Sequence, residues 1–197
     1  MEYQKMAQYA ADSYKYSNQM VVVGNTVAHI YVEKDITTIA VRGTDDCVDW
    51  INNLNKFKVP FVIDGISHGS VHSGFLHEML SIFPFIKTNT KVQLVGHSLG
   101  GAIAVLMGLY LAKTQPYEVS VVTFGTPRIG DKRFRDRCCA PNLKIDRIFN
   151  SADIVTHVPY FGYYHVGTPH VFNDSKVHQI VKNHSMSNYL HFCTKPP

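Results

Sequence analysis

Cysteine is scarce in this chain, and its placement excludes two chemistries. The four cysteines, Cys47, Cys138, Cys139 and Cys193, form no Cys-Xaa-Xaa-Cys motif and no Cys/His metal-ligand spacing. The adjacent pair at 138 and 139 cannot readily bridge to itself, so reduced thiols in a cytosolic-type compartment are the expectation. No metal and no cofactor is implied. Charge is also sparse, at 17% Asp, Glu, Lys and Arg, with 19 basic against 15 acidic side chains and a formal net charge of +4. No block of Lys and Arg stands out. Lys132, Arg133, Arg135 and Arg137 alternate with Asp131 and Asp136, which reads as a solvated helix face, so no nucleic-acid partner is expected. The small basic excess would favour an anionic membrane surface. No run approaches the ~18 apolar residues of a membrane span. Met1 to Met6 lacks the apolar core of a secretory signal, which makes a cytoplasmic location the expectation. Repeats, low-complexity tracts and Pro/Gly/Ser linkers are missing too, so one domain is expected over residues 1–197.

What is present is an alternation of strand and helix patterns. Residues 2–17 place Tyr3, Met6, Ala10 and Tyr14 on or near one helical face. Met20–Val23, Val27–Val32 and Ile36–Val41 read as strands, the first two joined by the hairpin signal Gly24-Asn25. A short helix is expected over 46–55, then an extended run over 56–63 interrupted at Pro60. A helix over 74–86 should carry Pro84 in its last turn. From residue 91 onward strands at 91–95, 118–124 and 143–149 alternate with helices at 99–114, 131–138 and 184–192. Residues 157–175 read as loops with short strands. The pattern predicts an α/β fold with a mixed, mostly parallel central sheet flanked by helices.

Gly96-His97-Ser98-Leu99-Gly100-Gly101 falls between the apolar run Val92–Val95 and the small-residue stretch Ala102–Met107. A Gly-Xaa-Ser-Xaa-Gly turn in strand-to-helix context marks a nucleophilic serine, since glycines on both flanks let the turn tighten and lift the hydroxyl. The alternative is a serine that only caps the helix. A serine nucleophile needs a histidine base oriented by a carboxylate, in the chain order serine, acid, histidine. The acid candidates are Glu118, Asp131, Asp136, Asp146, Asp153 and Asp174. Asp153 is the strongest, because it follows the strand ending at Phe149 by a short turn. Asp146 lies within that strand, its side chain expected to turn outward. His157, His165, His170, His178, His184 and His191 all follow Asp153, and His184, read as beginning a helix, is favoured by topology without displacing the others. His97 should pack or hydrogen-bond and not act as the base. Oxyanion donors are expected from the Leu99 backbone N–H and from the turn Val41-Arg42-Gly43-Thr44-Asp45, which could equally be a plain strand-closing turn. After that turn Val48, Ile51 and Leu54 form an apolar stripe on one helical face, with Trp50 four residues before Leu54. It reads as a helix on its own core or as a flap over the site.

These segments together resemble the class 3 lipase family of α/β-hydrolases over roughly residues 20–192. The resemblance is carried by Arg42-Gly43-Thr44 with Asp49–Leu54, Val71–Phe75, Gly96–Gly101, Phe124–Gly130, Arg147–Val155 with Pro159, and Asn183–Leu190. It implies Ser98 as nucleophile, Asp153 as acid, His184 as base, Thr44 and Leu99 as oxyanion donors, and a lid within residues 45–57 that includes Trp50, Ile51 and Leu54. It implies lipid acyl esters as substrates and transient contact with a membrane or lipid-droplet surface. The chain is shorter than typical secreted members and lacks their leader and disulfide pattern. An esterase, a monoacylglycerol lipase or a phospholipase of A1 type therefore stands beside a triacylglycerol lipase. An acyltransferase and an inactive lipid-binding module are the remaining alternatives.

Overall fold

The structure, a computed structural model, describes residues 2–17, 19–44, 57–138, 140–174 and 180–194. Helix α1 (Glu2–Asp12) leads into the meander β1 (Met20–Val23), β2 (Thr26–Glu33) and β3 (Ile36–Val41), all antiparallel. A separate two-stranded ribbon follows, β4 (Lys58–Ile63) with β5 (Ile66–His72), then α2 (Ser73–Ile82). Strand β6 (Lys91–His97) returns to the main sheet and passes into α3 (Leu99–Thr114). Then come β7 (Glu118–Phe124), α4 (Lys132–Arg137), β8 (Leu143–Asn150), β9 (Thr168–Phe172), α5 (Ile180–His184) and α6 (Met186–Thr194). The main sheet has seven strands in the order β1-β2-β3-β6-β7-β8-β9, with every pairing from β3 onward parallel.

Burial is nearly continuous along the central strands, as a sheet covered on both faces requires, and successive side chains go to opposite faces. Ile39, Val41, Leu94, Val121 and Ile145 pack with α2 and α3 on one face. Ala40, Val95, Val122, Phe124 and Ile148 pack with α1 and α6 on the other. Helix α3 is rich in alanine and leucine, and almost its whole circumference is buried. It stops where Pro116 forces Gln115 into an extended conformation.

The parallel register has the consequence that matters for the site. Val41 pairs with Gly96, His97 with Phe124, and Phe124 with Ile148. The residues that leave these strands, Arg42 to Thr44, Ser98, Gly125 and the turn to Asp153, therefore emerge along one edge of the sheet. This is the carboxyl edge where open α/β sheets bind ligands.

Several expectations are corrected. Helix α1 ends at Asp12 and not at 17, because the Ser13 hydroxyl donates to the Ala10 carbonyl that a further turn would have used. Helix α2 ends at Ile82 and continues as a 3₁₀ turn, Phe83–Phe85, with Pro84 near its start. Pro60 does not interrupt a strand but sits inside β4, beside a bulge in a two-stranded ribbon that has edges to spare. Its partner β5 is a strand that the residue pattern of 66–72 does not announce. His184 ends a helix and does not begin one. Asp146 is buried at 5% exposure and not turned outward, gripped by Lys144 Nζ and His170 Nε2, each at 2.9 Å. Burial pushes its carboxyl up, but the bonds from His170 and Lys144 outweigh this and hold it below the usual range. The expected helix over 46–55 lies outside the described residues.

Leu94 is fully buried on the central strand, whereas Val62 on the ribbon is exposed. Leu94→Ala should destabilise the protein by about 2–5 kcal/mol, and Val62→Ala by less than about 0.5 kcal/mol, in urea unfolding.

Candidate active site

Ser98 occupies the turn between β6 and α3 at φ 57°, ψ −128°. A non-glycine residue holds such a conformation only when its surroundings impose it, at a cost of about 1–3 kcal/mol. The surroundings here are backbone. Ser98 N donates to the Phe124 carbonyl at 2.9 Å, and Gly101 N donates to the Ser98 carbonyl at 3.1 Å. A Cβ on Gly96 would lie 2.3 Å from the Gly100 backbone, and one on Gly100 would lie 2.2 Å from the Val41 carbonyl. Only glycine fits at either flank. The Ser98 side chain makes no capping hydrogen bond, so the plain helix-cap reading fails. Its hydroxyl is buried and has no hydrogen-bond partner among the described residues.

Asp153 follows β8 through a turn knitted by the fully buried Asn150, whose side-chain carbonyl accepts from Ala152 N and Asp174 N, both at 3.1 Å. The Asp153 carboxylate is fully buried and accepts three hydrogen bonds. Oδ1 takes the Val155 N–H at 2.9 Å, and Oδ2 takes His184 Nδ1–H at 2.7 Å and the Tyr189 hydroxyl at 2.6 Å. Since a carboxylate oxygen accepts, the His184 proton sits on Nδ1. Nε2 is left as a bare acceptor, buried and without a partner among the described residues. Tyr189 is a permanent donor: burial first, and the Asp153 charge second, push its phenol well above the usual range.

His184 is also held from behind. His97 Nε2 donates to the His184 backbone carbonyl at 2.7 Å, and its ring lies against the His184 ring with centroids 4.5 Å apart. Its Nδ1 therefore accepts, from the Tyr14 hydroxyl at 2.7 Å. Burial, with the neighbouring His184 second, pushes His97 well below its ordinary range, so it stays neutral. His97 thus packs and hydrogen-bonds, as expected from its place in the turn.

Gly43 brings the turn at residues 42–44 against Ser98. A Cβ there would meet the His97 carbonyl and Tyr14 hydroxyl at 2.6 Å and the Ser98 Cβ at 3.1 Å. Thr44 sits at the junction of two openings. One is an apolar crevice of about 220 Å³ bounded by Tyr14, Val181, His184 and Met186. The other is a cleft of about 410 Å³ that includes Arg42, His72, Glu78 and Leu99. Leu99, as the first residue of α3, has an N–H with no intrahelical acceptor. Trp50, Ile51 and Leu54 lie outside the described residues, as does His178.

The other candidates are dispersed. His170 binds Asp146, His165 binds the Thr156 carbonyl at 2.7 Å, and His157 and His191 are exposed. Asp131 caps α4 through Phe134 N, and Asp136 pairs with Lys132 and Arg135 on the exposed face of that helix. Sequence reasoning missed Tyr189, Tyr14 and Asn150. Tyr14 reads as a member of an apolar helix stripe, and nothing in a stripe reveals where a hydroxyl ends.

A mixed sheet, a serine on a strained strand-to-helix turn and an Asp–His pair at the carboxyl edge define an α/β-hydrolase architecture. The sequence profile of the lipase (class 3) family matches residues 38–163, and the chain belongs to that family. It is 30% identical over 175 residues to a lipase of Rhizomucor miehei, covering 81% of this chain and 46% of that protein. It is 28% identical over 191 residues to phospholipase A1-II 1 of Oryza sativa subsp. indica, covering 78% and 48%. The chain thus spans about half the length of these curated relatives. Its fold matches a lipase from Rhizopus microsporus var. chinensis with a TM-score of 0.75 at 23% identity, over 89% of this chain and 75% of that one. A triacylglycerol lipase described as having a serine protease triad at its catalytic centre matches with a TM-score of 0.74 at 23% identity, over 88% and 80%.

Two measurements check this geometry. Tyr189→Phe removes a hydrogen bond to a charged acceptor and should lower kcat on a soluble ester about tenfold with KM unchanged. The second concerns His165, which burial, helped by Arg147, pushes down to about 3. The unfolded chain protonates this histidine near 6.5 and the folded chain does not, so stability is lost as pH falls below about 6.5. In His165→Gln, the difference in urea-unfolding free energy between neutral pH and about pH 5 should shrink by up to about 2 kcal/mol.

Proposed function

We propose that the protein hydrolyses carboxylic esters of lipid acyl chains through an acyl-enzyme on Ser98. The observation that carries this reading is the 2.7 Å bond from His184 Nδ1 to Asp153, which leaves Nε2 bare and buried beside the Ser98 turn. In this reading Nε2 takes the hydroxyl proton as Ser98 Oγ attacks the ester carbonyl, and Asp153 stabilises the imidazolium that results. The oxyanion is received by the N–H groups of Leu99 and Thr44. Nε2 then gives its proton to the departing alcohol, and water repeats the sequence to free the acid. The apolar walls at Val181 and Met186 suit an acyl chain, and the Arg42 and Glu78 cleft on the far side of Thr44 suits a polar head. The similarity to a fungal lipase and to a plant phospholipase A1 supports lipid esters as the substrate class. It leaves neutral glycerides and phospholipids as the two head-group choices.

Purified protein is assayed on p-nitrophenyl esters of increasing acyl length, beside triacylglycerol and phospholipid. An octanoyl ester should exceed the acetyl ester in kcat/KM by more than about tenfold, because each buried methylene adds about 0.8 kcal/mol. Ser98→Ala should lower turnover by at least about a thousandfold while leaving thermal unfolding unchanged. Retained turnover in that variant would overturn the nucleophile. Lipid binding by the parent without turnover would favour a binding module, and acyl transfer to an added alcohol with no acid released would favour a transferase.

A further inference from the structure

Two strongly exposed aromatic residues sit together on the loop that leaves the Asp153 turn. Phe161 is 86% exposed and Tyr160 is 66% exposed, their rings edge to face at 5.0 Å. The loop is held firmly. Arg128 Nη1 donates to the Tyr160 carbonyl at 2.9 Å, Lys58 Nζ donates to the Gly162 carbonyl at 2.8 Å, and Arg128 N donates to the Val158 carbonyl at 2.8 Å. Tyr164 N closes it on the Gly130 carbonyl at 2.7 Å. The two aromatic rings are therefore held out into solvent by specific bonds to their own backbone, whereas chance exposure is scattered singly.

Cations surround the pair. The Arg128 guanidinium lies over the Tyr160 ring at 5.2 Å, and Arg135 lies over the half-buried Tyr164 ring at 4.9 Å. Among the described residues, neither Lys58 nor Arg128 has a carboxylate partner. The loop hangs from the same sheet edge as Ser98, and Ile154, beside Asp153, is a further exposed apolar residue there at 43%. Aromatic tips beside two cations, Lys58 and Arg128, that have no carboxylate partner among the described residues match one kind of partner. Apolar rings enter the boundary between headgroups and acyl chains, tyrosine hydroxyls stay at headgroup level, and the cations meet phosphates. A second copy of this chain would press Lys58 and Arg128 against their own like charges, and neutral oil offers those cations nothing.

We propose that Tyr160 and Phe161, with Lys58 and Arg128, form a docking surface for an anionic phospholipid membrane that brings the Ser98 edge of the sheet to the lipid. The surface deepens the lipid-ester reading of the site, but its binding is measurable without catalysis. The full chain carrying Ser98→Ala is floated with phosphatidylcholine vesicles with and without phosphatidylserine. Binding to the anionic vesicles should be at least about tenfold tighter. Lys58→Gln with Arg128→Gln should abolish that preference, and Tyr160→Ser with Phe161→Ser should weaken binding to anionic vesicles about tenfold. With Ser98 intact, both double variants should hydrolyse a soluble short-chain ester within about twofold of the parent. Equal binding to both vesicle types, or binding unchanged in the double variants, would overturn the proposal. Dimerisation in light scattering that the aromatic variant abolishes would overturn it too, assigning the patch to a second copy. Failure of ester hydrolysis by the parent alongside intact vesicle binding would count against the catalytic reading and leave this surface standing.

Discussion

The structure depends on a close backbone contact: the turn carrying Ser98 is pressed between β3 and β7 with no room for side chains. Gly100 abuts the Val41 carbonyl, Gly96 abuts Gly100, and Ser98 N is bonded to the Phe124 carbonyl. A hydroxyl at φ 57° is costly in isolation and is held here because three parallel strands end in register around it. The same register sets Arg42-Gly43-Thr44 on one side of the serine and the Asp153 turn on the other. Fold and site are thus one construction, and the buried core on both sheet faces serves to keep that edge rigid.

Around this turn the polar groups form a connected set. Tyr189 and His184 share one oxygen of Asp153, so the carboxylate can neither rotate freely nor bind the imidazole through its other oxygen. Tyr14 and His97 fix the His184 carbonyl from the opposite face, with the neutral His97 linking the Tyr14 hydroxyl to the His184 backbone. Buried networks of this kind specify a single arrangement when each member is satisfied. Ser98 Oγ and His184 Nε2, both buried and without a partner among the described residues, are the two atoms that the proposed chemistry would use.

Much of this was legible in the residues. Gly96 and Gly100 announced a turn too tight for side chains, and Asp153 followed a strand at the distance a carboxyl-edge loop requires. The alternation from residue 91 onward gave away a parallel sheet. Other parts were illegible for physical reasons. Asp146 looked like an outward strand residue, because a sequence cannot show that Lys144 and His170 close over it. β5 escaped notice because Ile66–His72 contains Gly69 and two histidines, and its pairing with β4 is a tertiary fact. Tyr189 lies within the stretch after His184 that carried the family likeness. Yet only the packing of α6 against β8 directs its hydroxyl to Asp153, and only the path of the chain after α1 brings Tyr14 to His97.

The exposed Tyr160 and Phe161 extend the same logic outward, since their loop is the continuation of the Asp153 turn and is tied down by Arg128 and Lys58. The central claim remains the alignment of Ser98, His184 and the two N–H donors. Its most direct test is a crystal structure of the protein after reaction with a p-nitrophenyl phosphonate that mimics the tetrahedral intermediate. The account predicts phosphorus bonded to Ser98 Oγ, the phosphonyl oxygen accepting from the N–H groups of Leu99 and Thr44, and His184 Nε2 within hydrogen-bond distance of Oγ or the alkoxy oxygen. Phosphorus bonded to another residue, or a phosphonyl oxygen turned away from both N–H groups, would contradict it.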